Sequence, residues 1–188
     1  MAAPKDRIEI SCNLWYKDKN YAFVGAKGQR RERAMDHKDY MRRALELAAQ
    51  ATKYGDVPVG CVIVKDGEII GEGRNRREEN GDATAHAEME AIRDACRRLG
   101  SWRLHGCTMY VTLEPCPMCA GGIINARIGE VRYGARDEKA GCCSSVLNLF
   151  EERFNHHPRI YRGPLEPECG QILQDFFLGL RESGGETC

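Results

Sequence analysis

Between Tyr40 and Lys53, apolar side chains recur at Met41, Ala44, Leu45, Ala48 and Ala51, a spacing that draws one stripe along a helix. Asp36 stands upstream as an N-cap. The period then changes. Asp66-Gly67 divides the stretch from Val57 to Asn75 into two β-rich runs, which predicts a hairpin. A polar loop, Arg76 to Thr84, leads into a second helix over about Ala87 to Leu99, with Met89, Ile92, Ala95, Cys96 and Leu99 as its buried stripe. Cys107 to Leu113 reads as an apolar strand, Met118 to Ala126 as a short helix and Glu130 to Ala135 as another strand. Residues 145–163 carry no clear period beyond a short apolar helix near Val146–Phe150. A last helix, about Glu166 to Glu182, bears Ile172, Leu173, Phe176, Phe177 and Leu180. Phe176 and Phe177 are adjacent, so one faces the core and the other stays available. This order of elements predicts an α/β fold, a mixed sheet with helices on both faces.

The first 34 residues follow neither period for long. They are expected to be an N-terminal extension, flexible or not native, before a domain over residues 35–188 in which Met35 is a candidate true start. A basic arm that assists RNA binding is the competing expectation. Residues 1–35 hold eight Lys and Arg against four Asp and Glu, leaving 20 against 24 in the remainder and a formal net charge of +0. A neutral chain offers no global field for a polyanion, so any phosphate contact must come from local patches. Arg93, Arg97, Arg98 and Arg103 are one such candidate, with an ordinary solvated helix face as the alternative. No apolar run approaches the roughly 20 residues that cross a bilayer, and the first ten residues lack the apolar core of a secretory signal. A cytoplasmic protein with no membrane partner is the expectation.

Ten cysteines call for a separate reading. Without a sign of export, eight read as buried or incidental thiols, since free cysteine behaves as a small hydrophobe. Cys116 and Cys119 differ. Cys-x-x-Cys at the start of a helix sets two sulfurs one turn apart, where the helix N-terminus favours thiolate. With His86 this makes three ligands, the number that leaves a zinc position open for water; a structural site would need a fourth, for which His105 and Cys107 are conceivable. Glu88 lies two residues from His86, about 200° away around an ideal helix. The two reach one centre only from the helix's N-terminal end, for which Asp82 and Thr84 offer caps upstream. A non-ligand carboxylate there is a natural proton carrier. His156-His157 reads as part of a polar loop more readily than as a metal pair.

His86-Ala-Glu88, followed 27 residues later by Pro115-Cys116-x-x-Cys119, is the signature of the zinc-dependent deaminases. With Val57-Pro-Val-Gly, Gly73-Arg-Asn75-Arg, Thr84 to Ala91, Glu114 to Arg127, Tyr133-Gly-Ala, Lys139-Ala-Gly and Glu168 to Phe177, the chain resembles the bacterial tRNA-specific adenosine deaminases over about residues 36–182. That resemblance implies a cytidine-deaminase-like three-layer α-β-α sandwich with a mixed five-stranded sheet. It also implies a homodimer that turns the wobble adenosine of a tRNA anticodon loop into inosine. Carried over, His86, Cys116 and Cys119 hold Zn2+ and Glu88 moves protons. Asn75 and the backbone of Ala87 contact the flipped base, while Asn155, Phe176 and Phe177 lie near the RNA. Cys142-Cys143-Ser-Ser departs from a more Gly/Ala-rich family stretch. A deaminase of a free base or nucleoside such as guanine or cytosine shares the metal motifs and is the alternative. A non-catalytic zinc- or RNA-binding module has no use for Glu88.

Overall fold

The structure, a computed structural model, describes residues 34–184, with side chains to residue 182. The N-terminal extension therefore falls outside the described residues except for Ala34. Asp36 caps the first helix, α1 (His37–Ala51): its carboxylate accepts from the backbone N–H of Lys38 and Asp39, and the Asp39 carboxylate accepts from that of Asp36. This reciprocal box starts the helix three residues before the hydrophobic stripe does. Tyr40, Met41, Ala44, Leu47, Ala48 and Ala51 form its buried side. Leu45 is only half-buried, a correction to the expected stripe. At 100° per residue Leu47 lies nearer than Leu45 to the centre of the arc once buried Tyr40 joins Met41, Ala44, Ala48 and Ala51 in defining it.

Strands β1 (Gly60–Lys65) and β2 (Glu68–Arg74) form the hairpin, turning through Asp66 (φ 51°) and Gly67 (φ 84°). Positive φ at both positions is what this tight turn requires. A short helix, α2 (Arg77–Asn80), occupies part of the expected polar loop. It forms because fully buried Asp56 accepts from the Glu78 and Glu79 N–H groups, a cap supplied from far upstream. Then come α3 (Ala87–Leu99), β3 (Thr108–Leu113), α4 (Pro117–Ala126), β4 (Glu130–Ala135), β5 (Arg159–Arg162) and α5 (Glu166–Gly184).

The sheet runs β2-β1-β3-β4-β5, with β1 antiparallel to β2 and β3, and with β3, β4 and β5 parallel. Alternation along the strands sorts the core into two layers. Cys61, Ile63, Met109 and Val111 pack with Ala91, Ile92 and Ala95 of α3 and Ala120, Ile123 and Ile124 of α4. Val62, Val64 and Tyr110 pack with Tyr40, Met41, Ala44 and Leu47 of α1 and Cys169 of α5. The result is the expected three-layer α-β-α sandwich.

One expectation is corrected here. The fifth strand that the resemblance implied is β5, in the stretch without a clear period, and the expected helix near Val146–Phe150 is instead a loop ending in a single 3-10 turn at Leu149–Glu151. Ser144 adopts φ 127° and the Val146 N–H donates to the Gly141 carbonyl, so the backbone turns back on itself where a helix would have to run on. Among the described residues, no helix is long and apolar enough to cross a membrane. Of the cysteines read as thiols, Cys61, Cys107, Cys142, Cys143 and Cys169 are buried and free and Cys96 is half-buried and free; Cys12 and Cys188 lie outside the described residues.

Two glycines of β2 clamp α3 to the sheet. A Cβ at Gly73 would stand 2.2 Å from the Ala87 carbonyl oxygen and 2.5 Å from the Ala91 nitrogen; one at Gly71 would stand 2.6 Å from the Ala91 carbonyl. These are backbone atoms that no rotamer change can clear. Gly73→Ala is therefore expected to destabilise the fold by about 3 kcal/mol, the upper part of the overpacking range, read as a lowered urea midpoint. An unchanged midpoint would mean that α3 lifts off β2 freely.

Candidate metal centre and active site

The centre forms where the C-terminal end of β3 meets the starts of two helices. Cys116 is the N-cap residue of α4, Pro117 follows at the first helical position, and Cys119 sits in the first turn. Proline fits there because its missing N–H would have had no partner. His86 is the N-cap residue of α3, so Ala87 and Glu88 open that helix. This corrects the expected caps. Asp82 instead accepts from the Thr84 N–H and hydroxyl in a local turn, and α3 has no side-chain cap because its N-cap imidazole is directed to the sulfurs. Beginning a helix at His86 lets residues on opposite sides of the ideal wheel reach one point, as the sequence requires.

His86 Nδ1 lies 3.6 Å from Cys116 Sγ and 3.5 Å from Cys119 Sγ, and the three ligand atoms lie within 4.8 Å of one another. In a tetrahedral zinc site with Zn–S of about 2.3 Å and Zn–N of about 2.0–2.1 Å, adjacent sulfur and nitrogen atoms stand about 3.6 Å apart. The donor set therefore fits zinc in both chemistry and spacing. No fourth His, Cys, Asp or Glu joins the group among the described residues. Cys107, one conceivable fourth ligand, directs its thiol to the His105 carbonyl at 3.9 Å. Three protein ligands are the pattern of catalytic zinc.

The ligand groups share their protons with one another, and zinc binding would release those of Cys119 and His86. A hydrogen bond from the Cys119 thiol, joined by one with His86, pulls Cys116 down to about 4, which makes it a thiolate. Cys119 is raised in turn because it donates to Cys116 and is buried. The hydrogen bond with Cys116 also raises His86. Glu88 is 4 % exposed, and burial pushes its carboxyl up to about 7. A carboxyl that exchanges its proton near neutrality suits general acid–base work.

Of the other anticipated residues, Asn75 sits at the end of β2 with its following residue tied to the site, since the Arg76 N–H donates to the Ala85 carbonyl. Its side chain is buried: Nδ2 donates to the Val57 carbonyl at 3.2 Å, while Oδ1 has no hydrogen-bond partner. A buried, unsatisfied acceptor is costly and marks a place for a ligand donor. Ala87 is fully buried, and its N–H is among those a helix start leaves unpaired. Asn155 is exposed and accepts from Arg127 through its Oδ1. Phe176 is 7 % exposed and Phe177 47 %, with rings 5.4 Å apart edge to face, so Phe177 alone is open to a partner and Phe176 supports it from the core. Arg93 pairs with Glu90, and Arg97 and Arg98 pair with Asp94, the solvated-face reading of that cluster. His156 and His157 bond the carbonyls of Ile128 and Phe150, as befits loop residues. Sequence reasoning gave Glu114 no role. It is 2 % exposed and binds the loop beyond β4; the signal was a carboxylate closing an apolar strand just before Pro-Cys.

Comparison with known proteins agrees with this geometry. Residues 35–181 match the MafB19-like deaminase family. The chain is 50% identical over 144 residues to the tRNA-specific adenosine deaminase of Bacillus subtilis, covering 76% of this chain and 89% of the relative. A solved structure from a study of A-to-I editing by tRNA:A34 deaminases at the wobble position of transfer RNA superposes with a TM-score of 0.70 at 45% identity, over 72% of this chain and 99% of that one. The structure of guanine deaminase from Bacillus subtilis gives 0.54 at 35% identity, over 79% and 95%. With the cytidine-deaminase-like sandwich, the three-ligand centre and the buried glutamate beside it, this chain belongs to the MafB19-like deaminase family, in the branch of the tRNA-specific adenosine deaminases.

Proposed function

We propose that the protein is a zinc-dependent hydrolytic deaminase that converts the wobble adenosine of a tRNA anticodon loop to inosine, releasing ammonia. The observation that carries this reading is a buried, non-ligand carboxylate, Glu88, beside a His86–Cys116–Cys119 ligand set in a chain half identical to a tRNA-specific adenosine deaminase. His86, Cys116 and Cys119 would hold the zinc, which when bound supplies an acidified water as nucleophile. Glu88 takes a proton from the attacking water and delivers it to ring N1 as C6 is attacked; it then takes the remaining proton of the new C6 hydroxyl and hands it to the amine, which leaves as ammonia as the C6 carbonyl forms. Asn75 Oδ1 accepts a hydrogen bond from the inserted nucleotide, and the Ala87 N–H donates one to the base. The target base must leave its stack to reach so buried a carboxylate, which suits a loop nucleotide. Phe177 and Asn155 are the exposed groups proposed to meet the anticodon. The same reading takes the protein to be a cytoplasmic homodimer.

The test is deamination of a tRNA anticodon stem-loop with adenosine at the wobble position, run beside free adenosine, cytidine, guanine and cytosine with zinc-loaded protein. Inosine is expected in the stem-loop alone. Turnover of a free base with an inert stem-loop would move the protein to the small-molecule branch, to which the guanine deaminase likeness also connects it.

A further inference from the structure

Glu114 closes β3 two residues before the metal ligand Cys116, and its carboxylate is nearly sealed from solvent. Four donors converge on it, all uncharged. Oε1 accepts from the backbone N–H of Cys143 at 2.7 Å and of Ser145 at 3.1 Å. Oε2 accepts from the Asp137 N–H at 3.2 Å and from the Ser145 hydroxyl. A desolvated carboxylate is retained only where its oxygens are this fully bonded. The backbone repeats the connection: the Glu114 N–H donates to the Ala135 carbonyl, and the Cys142 N–H to that of Pro115, the residue before the ligand. Gly141 completes the fit, since a Cβ there would stand 2.5 Å from the Glu114 carboxyl carbon.

The segment so held, residues 137–145, lies against the centre. Cys142 and Cys143 are buried in the same core layer as Ala87 and Ala120, the chain neighbours of Glu88 and Cys119. Just beyond it Val146 and Leu147 stay 54 % and 43 % exposed, although the backbone N–H of each is bonded to the Gly141 carbonyl. A loop whose backbone is bonded in this way while its apolar side chains stay exposed is an ordered surface and not a slack connection, and Glu114 ties it to the segment that carries Cys116.

We infer that Glu114 is a positioning residue: it locks the 137–145 segment to the metal-ligand segment and so sets the wall along which the nucleic acid lies when its base enters the site. This rests on the tRNA-deaminase reading. Glutamine at this position keeps the shape but places an NH2 group against donors, so at least one oxygen's pair of bonds is lost.

The test compares wild type with Glu114→Gln, Gly141→Ala and Ser145→Ala on the anticodon stem-loop, separating KM from kcat and measuring bound zinc. Glu114→Gln and Gly141→Ala are expected to raise KM at least tenfold, with kcat within about threefold and zinc content unchanged. Ser145→Ala, which deletes a single donor, should raise KM about threefold; it decides the matter if the other two variants do not fold. A fall in kcat with loss of zinc at unchanged KM would overturn the inference, as would a wild-type KM in all variants that fold. Wild-type protein inert on the stem-loop would instead overturn the functional reading, and this inference with it.

Discussion

Glu88→Ala is expected to keep its full zinc content and to lose turnover by a factor on the order of 10⁴, the upper end of what one general acid–base group supplies. The size follows from the number of transfers assigned to one carboxylate. Glu88 is the ionisable non-ligand in the centre, and it is buried in a pocket where no bulk water replaces it. Glu88→Gln should fall as far, because it preserves hydrogen bonding and volume but carries no exchangeable acid. The side chain is a desolvated carboxyl and not a packing element, so neither variant should melt earlier than wild type. Single-turnover inosine formation together with metal analysis checks this. Activity within tenfold of wild type would remove Glu88 from the chemistry, and loss of zinc would make it a ligand.

Removal of the metal is the second large effect. Neither α3 nor α4 has a side-chain cap hydrogen bond from its N-cap residue, His86 or Cys116, so both helix starts depend on the shared centre to stay in place. Stripping zinc with a strong chelator should abolish turnover. It should also lower the melting midpoint by about 6–12 °C, which corresponds to about 3 kcal/mol in a domain of this size. Zinc should restore both properties. Mg2+ should restore neither, because it prefers six hard oxygen ligands to two thiolates and an imidazole. Cys119→Ser should reproduce the chelated state without chelator, since Cys119 is fully buried and its sulfur faces His86. A melting curve indifferent to chelator would show that the two helix starts hold without an ion.

Most of the scaffold was readable because long periodic segments state their own structure. α3 spans the expected residues, and β3, α4 and β4 begin within one residue of expectation. What escaped was decided by residues distant in sequence. α2 is four residues long and exists because Asp56 caps it. β5 is Arg-Ile-Tyr-Arg, a pattern with no strand signature of its own, and it becomes a strand by lying parallel to β4 at the sheet edge. Around Val146 apolar composition suggested a helix, yet Glu114 had already engaged the backbone of Cys143 and Ser145. The grouping of His86, Cys116 and Cys119 was legible for the opposite reason: cysteine, histidine and proline at fixed local spacing propose a metal site without any fold. Glu114 has no such motif, and only the folded chain shows how many donors meet it.

The two outer strands of the sheet have a consequence for how the molecule behaves in a crowd. β5 offers only four residues, and its terminal arginines, with side chains 70 % and 47 % exposed, pair with Glu130 of β4 and Glu166 of α5. β2, the opposite rim, carries one residue more than β1 opposite Ile63/Val64, which bends it out of a flat ribbon. An incoming strand would therefore meet guanidinium groups on one side and broken register on the other, the two devices that blunt amyloid-like extension. Contacts with other macromolecules fall to side chains on helices and loops, and the sheet itself stays closed to growth.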